Sequence, residues 1–161
     1  MNKENIIELD LGITPEAAVS GPVLLQTDYS AFLTFNAMKD TDRPFPGGGF
    51  YKEAAGTAIV ELIGCKITKF GYPNDEAWSG IPWTKDLAYG IFEIKDSPWI
   101  KELDELNRYS FPDTPDSDNR HFLFLFHDSS FECIADDLGI EVSNEKYEVI
   151  FKRISNRVLS E

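Results

Sequence analysis

RHFLFLFHDSSFECIADDLG, residues Arg120 to Gly139, opens with the most apolar run of the chain and then gathers a histidine, aspartates, two serines, a glutamate and a cysteine. Strand alternation in its first half puts Phe122, Phe124 and Phe126 on one face and His121, Leu123, Leu125 and His127 on the other. Both faces are largely apolar, the mark of a strand in the middle of a sheet covered on both sides. The second half has helical spacing. Ser129-Ser130-Phe131-Glu132 matches the capping box S-x-x-E, in which Ser and Glu satisfy free backbone N–H groups. Phe131, Ile134, Ala135 and Leu138 follow at i, i+3, i+4 and i+7, and Gly139 is placed to close a helix in a left-handed conformation. A hairpin that folds these residues back on the strand is conceivable, but it gives the spacing and the glycine no role. The pattern therefore predicts a helix over 130–138.

Upstream, VLLQTDYSAFLTFN (residues 23–36) alternates and reads as one long strand with a wet face, or two strands with a bend between them. DTDRPFPGGGFYKEAAG (40–56), with two prolines and Gly47-Gly48-Gly49, reads as a loop. TAIVELIGCKITKF (57–70) is a strand region with a bulge or bend at Gly64, and LAYGIFEIK (87–95) is a further strand. Ser97-Pro98 opens a helix near 98–108, and Asn144 is placed to cap a last helix over 144–159 carrying Tyr147, Ile150, Phe151, Ile154 and Val158. Strands gather early and helices late. That order predicts a single α+β domain over residues 1–161, with a mostly antiparallel sheet of about five or six strands and two or three helices packed on it.

The chain has 161 residues, 42% hydrophobic and 13% aromatic with twelve Phe, enough apolar material for one core without disulfides or metals. Fifteen Lys plus Arg against 28 Asp plus Glu give a formal charge of −13. That field repels nucleic-acid phosphates, so no nucleic-acid partner is expected, whereas encounter with a basic protein would be accelerated. The N-terminal residues lack the pattern of a signal peptide, and no run is long and apolar enough for a membrane helix. Cys65 and Cys133 form neither a disulfide framework nor a CxxC clip, so a cytoplasmic setting with no cofactor and no metal is expected.

Two candidate sites emerge. In the first, His127 ends a strand beside a helix N-terminus, whose dipole would keep the imidazole neutral and able to act as a base. Asp128 is then its orienting carboxylate, or Cys133, in the first turns of the helix, is a nucleophile. Each also has a structural role open to it: His127 as a core-edge histidine, Asp128 at a helix dipole, Cys133 as an inert buried thiol. The second candidate is the loop YPNDEAWSGIPW, where Asp75 and Glu76 accompany Trp78 and Trp83 as carboxylates beside aromatic anchors. Its tryptophans could equally fold back on the core, and the loop lacks the spacing of a calcium site.

The blocks PNDEAWSGIP, YGIFEIKDSPWIKELDELN, FPDTPDS and HFLFLFHDSSFECIADDL, over roughly residues 57 to 140, resemble a family of bacterial proteins, cyanobacterial ones among them, that share an FxFHDSxFECIA block. The resemblance implies a standalone cytosolic domain and brings no reaction, cofactor or binding residue with it. The functional expectation is a non-catalytic binding or regulatory module engaging a basic protein partner, an immunity-type protein being one form. The alternative is a small hydrolase or transferase with His127 as general base.

Overall fold

The computed structural model describes residues 5–82, 84, 85, 87 and 89–159. Along these residues run β1 (Ile6–Glu8), β2 (Thr14–Pro15), β3 (Val23–Gln26), β4 (Ala31–Pro44), β5 (Phe50–Ile63), β6 (Ile67–Gly71), α1 (Asp75–Ser79), β7 (Gly90–Ile94), α2 (Pro98–Ser110), β8 (Arg120–Leu125), β9 (Ser130–Ala135), β10 (Asp137–Ser143) and α3 (Tyr147–Leu159). The fold is α+β, and its strands form two antiparallel sheets rather than one. The first has the order β1-β7-β8-β9-β6, the second β10-β5-β4-β2 with β3 also on β4.

The sheets face each other. Leu33 and Phe35 of β4 and Val60 of β5 meet Phe122 and Phe124 of β8 and Phe131 of β9 in one buried cluster. The rings of Phe35 and Phe124 meet edge-to-face across the gap, 6.2 Å between centroids, a geometry favoured by the ring quadrupoles. Outside the second sheet, Ile150, Ile154 and Val158 of α3 cover Phe32 and Ile59. Outside the first, Trp78 of α1 covers Phe92, Ile94, Leu123 and Leu125, and Trp99 of α2 lies against His121. The parity predicted for residues 121–126 holds: β8 is the middle strand, its phenylalanines inside and its leucines under α1. No helix among the described residues is long and apolar enough to cross a membrane.

The helix expected over 130–138 is absent. Residues 130–135 form β9, paired with β8 (Leu125↔Ser130, Leu123↔Glu132) and with β6 (Phe70↔Phe131, Thr68↔Cys133). Phe131, Cys133 and Ala135 point into the core between the sheets. A helix here would bury one stripe and leave β8 with an unpaired edge inside the protein, whereas the strand satisfies both ladders and buries both faces. Ser129 and Glu132 therefore cap nothing. Gly139 lies within β10 without a left-handed φ.

The expected loop over 40–56 is also mostly ladder. β4 and β5 continue to Pro44 and Phe50, closing through Gly47, Gly48 and Gly49. The prolines stand at the strand end and in the turn, where a missing N–H breaks no pair. The bend at Gly64 is real and carries the chain from the second sheet to the first. Ser97 caps α2 as expected, accepting from the Ile100 N–H at 3.3 Å, and α2 runs two residues beyond its predicted end. α3 starts at Tyr147 rather than at Asn144, because Ser143 Oγ first accepts from the Glu145 N–H in a local turn. Its Tyr147 and Phe151 stack on each other at the half-exposed flank of the buried stripe.

Two glycines separate the strand from the helix experimentally. Gly64 has φ +62°, and a Cβ there would collide with the Asp136 carboxylate, so Gly64→Ala should cost about 1–2 kcal/mol in urea unfolding. At Gly139 an added Cβ meets only ordinary contacts, 3.5 Å from Glu61 Cβ, and Gly139→Ala should be neutral or stabilise by up to about 1 kcal/mol. The reverse ranking would restore the helix.

Candidate functional site

The hairpin between β8 and β9 builds the site. Its turn is closed by the Phe126 N–H donating to the Ser129 carbonyl at 3.0 Å, which pushes His127 and Asp128 out of the buried sheet. The His127 side chain is 48% exposed. α1 docks against this turn: Asn74 caps it by accepting from the Ala77 N–H, and the Asp75 N–H donates to the His127 carbonyl at 3.4 Å. Tyr89, just before β7, approaches from the neighbouring strand.

These elements bring Asp75, Tyr89 and His127 together. His127 Nδ1 lies 3.1 Å from Asp75 Oδ2, and the Tyr89 hydroxyl donates to the same oxygen at 2.9 Å. Tyr89 Oη is also 3.2 Å from Nδ1. Asp75 Oδ1 accepts from the Glu76 N–H at 2.9 Å. Burial opposes ionisation of Asp75, but the bonds from Tyr89, His127 and Glu76 outweigh it and hold the carboxyl below the usual range. The ionised carboxylate then accepts a hydrogen bond from Nδ1–H, which fixes the tautomer and leaves the lone pair on Nε2. His127 titrates above its ordinary value because of the bond to Asp75 and the charges of Asp75 and Asp128. Tyr89 is raised by the bond to Asp75.

Beside the cluster is a cavity of about 290 Å³. Asp75, Glu76 and Tyr89 line its polar side, and Trp78, Leu87 and Leu125 its apolar side. Among the described residues no group of three or more His, Cys, Asp and Glu is placed to hold a metal ion.

Sequence reasoning found His127 and Asp75 but assigned them to different sites. The carboxylate on His127 is Asp75, 52 residues away in sequence, and not the adjacent Asp128, which is exposed and contributes only charge. The helix whose dipole was expected to act on His127 is the strand β9, and the shift of the His127 pKa is upward, opposite to the expected one. Cys133 is fully buried among Phe122, Phe124 and Phe131, and burial pushes its thiol up, so it is neither reactive nor placed to serve as nucleophile. Trp78 is 7% exposed and belongs to the core under α1, so it is no surface anchor. Glu76 is exposed at the cavity, and Trp83 lies outside the described residues. Tyr89 was missed: its only signal was its place at the start of an apolar strand.

A second polar cluster, also missed, lies under α2. Ser97 Oγ is 2.8 Å from His121 Nδ1, and His121 Nε2 is 2.9 Å from Glu132 Oε2. With the Ile100 N–H on Ser97, one consistent arrangement has Ser97 donating to Nδ1 and the Nε2–H donating to Glu132. Ser97 and His121 are each 3% exposed, and Trp99 packs on the imidazole with Lys69 Nζ 3.5 Å above the indole. The cluster thus clamps the start of α2 to the first sheet.

Comparison of the chain with protein-family models, curated proteins and solved structures found no match.

The two histidines should respond differently to mutation. Glu132→Ala removes the acceptor of a buried N–H and should cost about 1–3 kcal/mol in chemical unfolding, with Glu132→Gln costing less. In an NMR titration, His127 should ionise above the usual 6.5 or so, and Asp75→Asn should bring its midpoint down. Since the folded-state pKa is raised, the stabilisation from this pair is complete below the unfolded-state value and is lost as pH rises through the folded-state value. A midpoint unmoved by Asp75→Asn would contradict the pairing.

Proposed function

We propose that the protein is a small hydrolase or transferase in which His127 is the general base and Asp75 its orienting carboxylate, with Tyr89 holding the same oxygen. The observation that carries this reading is the 3.1 Å contact of His127 Nδ1 with Asp75 Oδ2, where Asp75 and Tyr89 line an open cavity. It supports an imidazole with Nε2 free to take a proton, and the Asp75 charge balances the imidazolium that results. A pKa lifted from the ordinary value moves the base toward neutral pH, where proton transfer is most effective.

The nucleophile comes from outside the side chains of the cluster. Cys133 is sealed in the core, and Ser79 beside the cavity donates its hydroxyl to the Glu76 carbonyl at 2.7 Å. Water, or the hydroxyl of an acceptor molecule, therefore attacks. Its oxygen bonds to the electrophilic carbon or phosphorus while its proton passes to His127 Nε2. The bond to the leaving group then breaks, and Nε2 returns the proton to that group.

A second reading, a non-catalytic binding or regulatory module of a bacterial cytosol, draws support from the formal charge of −13, which speeds encounter with a basic protein. An immunity-type protein is one form of it. Recognition would then fall on exposed carboxylates such as Glu76 and Asp128, since Trp78 is committed to the core.

A screen of the purified protein against esters, thioesters, amides and phosphoesters tests the catalytic reading. An activity should fall about 10²–10⁴-fold in His127→Ala with the fold intact by circular dichroism. Asp75→Asn should lower it and shift the acidic limb of the pH profile to lower pH, the direction expected when a raised base pKa relaxes. An activity indifferent to both substitutions sinks the assignment.

A further inference from the structure

The cavity that Asp75 and Tyr89 line discriminates by charge as well as by shape. Its apolar side, Trp78, Leu87 and Leu125, is continuous with the buried outer face of the first sheet and fits a compact hydrocarbon or aromatic body. Its volume of about 290 Å³ is at the lower edge of the roughly 300–1,000 Å³ common for small-molecule sites, so the occupant is smaller than a typical drug. Among the described residues, none that lines it is Lys or Arg. Asp75 is already engaged by Tyr89, His127 and the Glu76 N–H. The Glu76 carboxylate, in contrast, has no hydrogen bond or ion pair among the described residues while lining the same cavity. Among the described residues, Glu76, Asp75 and the nearby Asp128 set three carboxylates against one imidazole, so an anionic ligand meets a net negative field.

From this arrangement we infer that the site takes a small amine, with its ammonium on Glu76 and its apolar body against Trp78, Leu87 and Leu125. The inference deepens the catalytic reading, in which that amine is the substrate, but amine binding is measurable without turnover. Binding a cation next to His127 disfavours the imidazolium, so an occupied cavity converts His127 into the neutral base that proton transfer requires. By linkage, affinity for the amine rises as pH rises through the His127 titration. The other titratable groups facing the imidazole are Asp75 and Glu76 from α1, Tyr89 from the start of β7 and Asp128 from its own turn.

The test is an NMR titration of the whole protein with 2-phenylethylammonium, 2-phenylethanol and 3-phenylpropanoate, three ligands of similar shape and different charge. The ammonium should shift resonances of Trp78 and Leu125 and lower the His127 midpoint, the alcohol should bind more weakly, and the propanoate should not bind. Glu76 is exposed, so Glu76→Gln should fold normally and weaken ammonium binding about two- to fivefold, as for an exposed ion pair. Glu76→Lys should abolish it. Equal binding of ammonium and propanoate, or ammonium binding unaffected by Glu76→Lys, would overturn the inference. The two readings fail separately: His127→Gln should remove turnover while leaving the Trp78 shifts with ammonium in place. Ammonium binding to a protein with no turnover in any assay would keep this site and end the catalytic assignment.

Discussion

Residues 57–71 and 130–143 form one antiparallel ribbon that runs through both sheets, and the architecture depends on the corner where it bends. β5 with β10 lies in the second sheet, and β6 with β9 lies in the first. At the corner Gly64 takes φ +62°, the Asp136 N–H donates to the Ile63 carbonyl and the Lys66 N–H to the Ile134 carbonyl, both at 2.8 Å. These two bonds carry the ladder around the exposed corner from one sheet to the other. Once both strands turn together, the two sheets face each other and the phenylalanines of β8 have a second apolar face to meet. A side chain at Gly64 opposes that turn twice, through its φ and through the Asp136 carboxylate.

The same ribbon explains why one sheet treats its two histidines so differently. His121 lies within β8 and is covered by α2, so both ring nitrogens must find partners, and Ser97 and Glu132 supply them. His127 lies past the last β8–β9 pair, where the turn lifts it into solvent and only Nδ1 is engaged. The first arrangement is closed and holds α2 in place. The second is open on one nitrogen, and a chemical step needs that free lone pair.

The helix expected after His127 failed for an instructive reason. Phe131, Ile134, Ala135 and Leu138 satisfy a helical period, but Phe131, Cys133 and Ala135 satisfy a strand period equally, and local spacing cannot choose between them. The choice rested on the five residues of β6, far upstream, which offer a ladder to the other edge of the segment. Glu132 shows the same ambiguity: the residue that reads as half of a capping box is the acceptor for a buried histidine.

Much was legible in the sequence. The alternation of residues 120–126 determined a central strand with two apolar faces, Ser97-Pro98 determined where α2 begins, Gly64 marked the bend, and the mix of strand and helix periods determined the α+β class. These are properties of a residue and its near neighbours, set by sterics, capping and the repeat of the element itself. The second sheet, the identity of β9 and the pairing of His127 with Asp75 were decided by tertiary structure, because each depends on which distant strand or turn arrives alongside. Asp75 and Asp128 are alike as carboxylates, and Asp128 is the nearer in sequence. Only the docking of α1 on the β8–β9 turn puts Asp75 at hydrogen-bond distance and leaves Asp128 in water, for a hydrogen bond is set by separation in space.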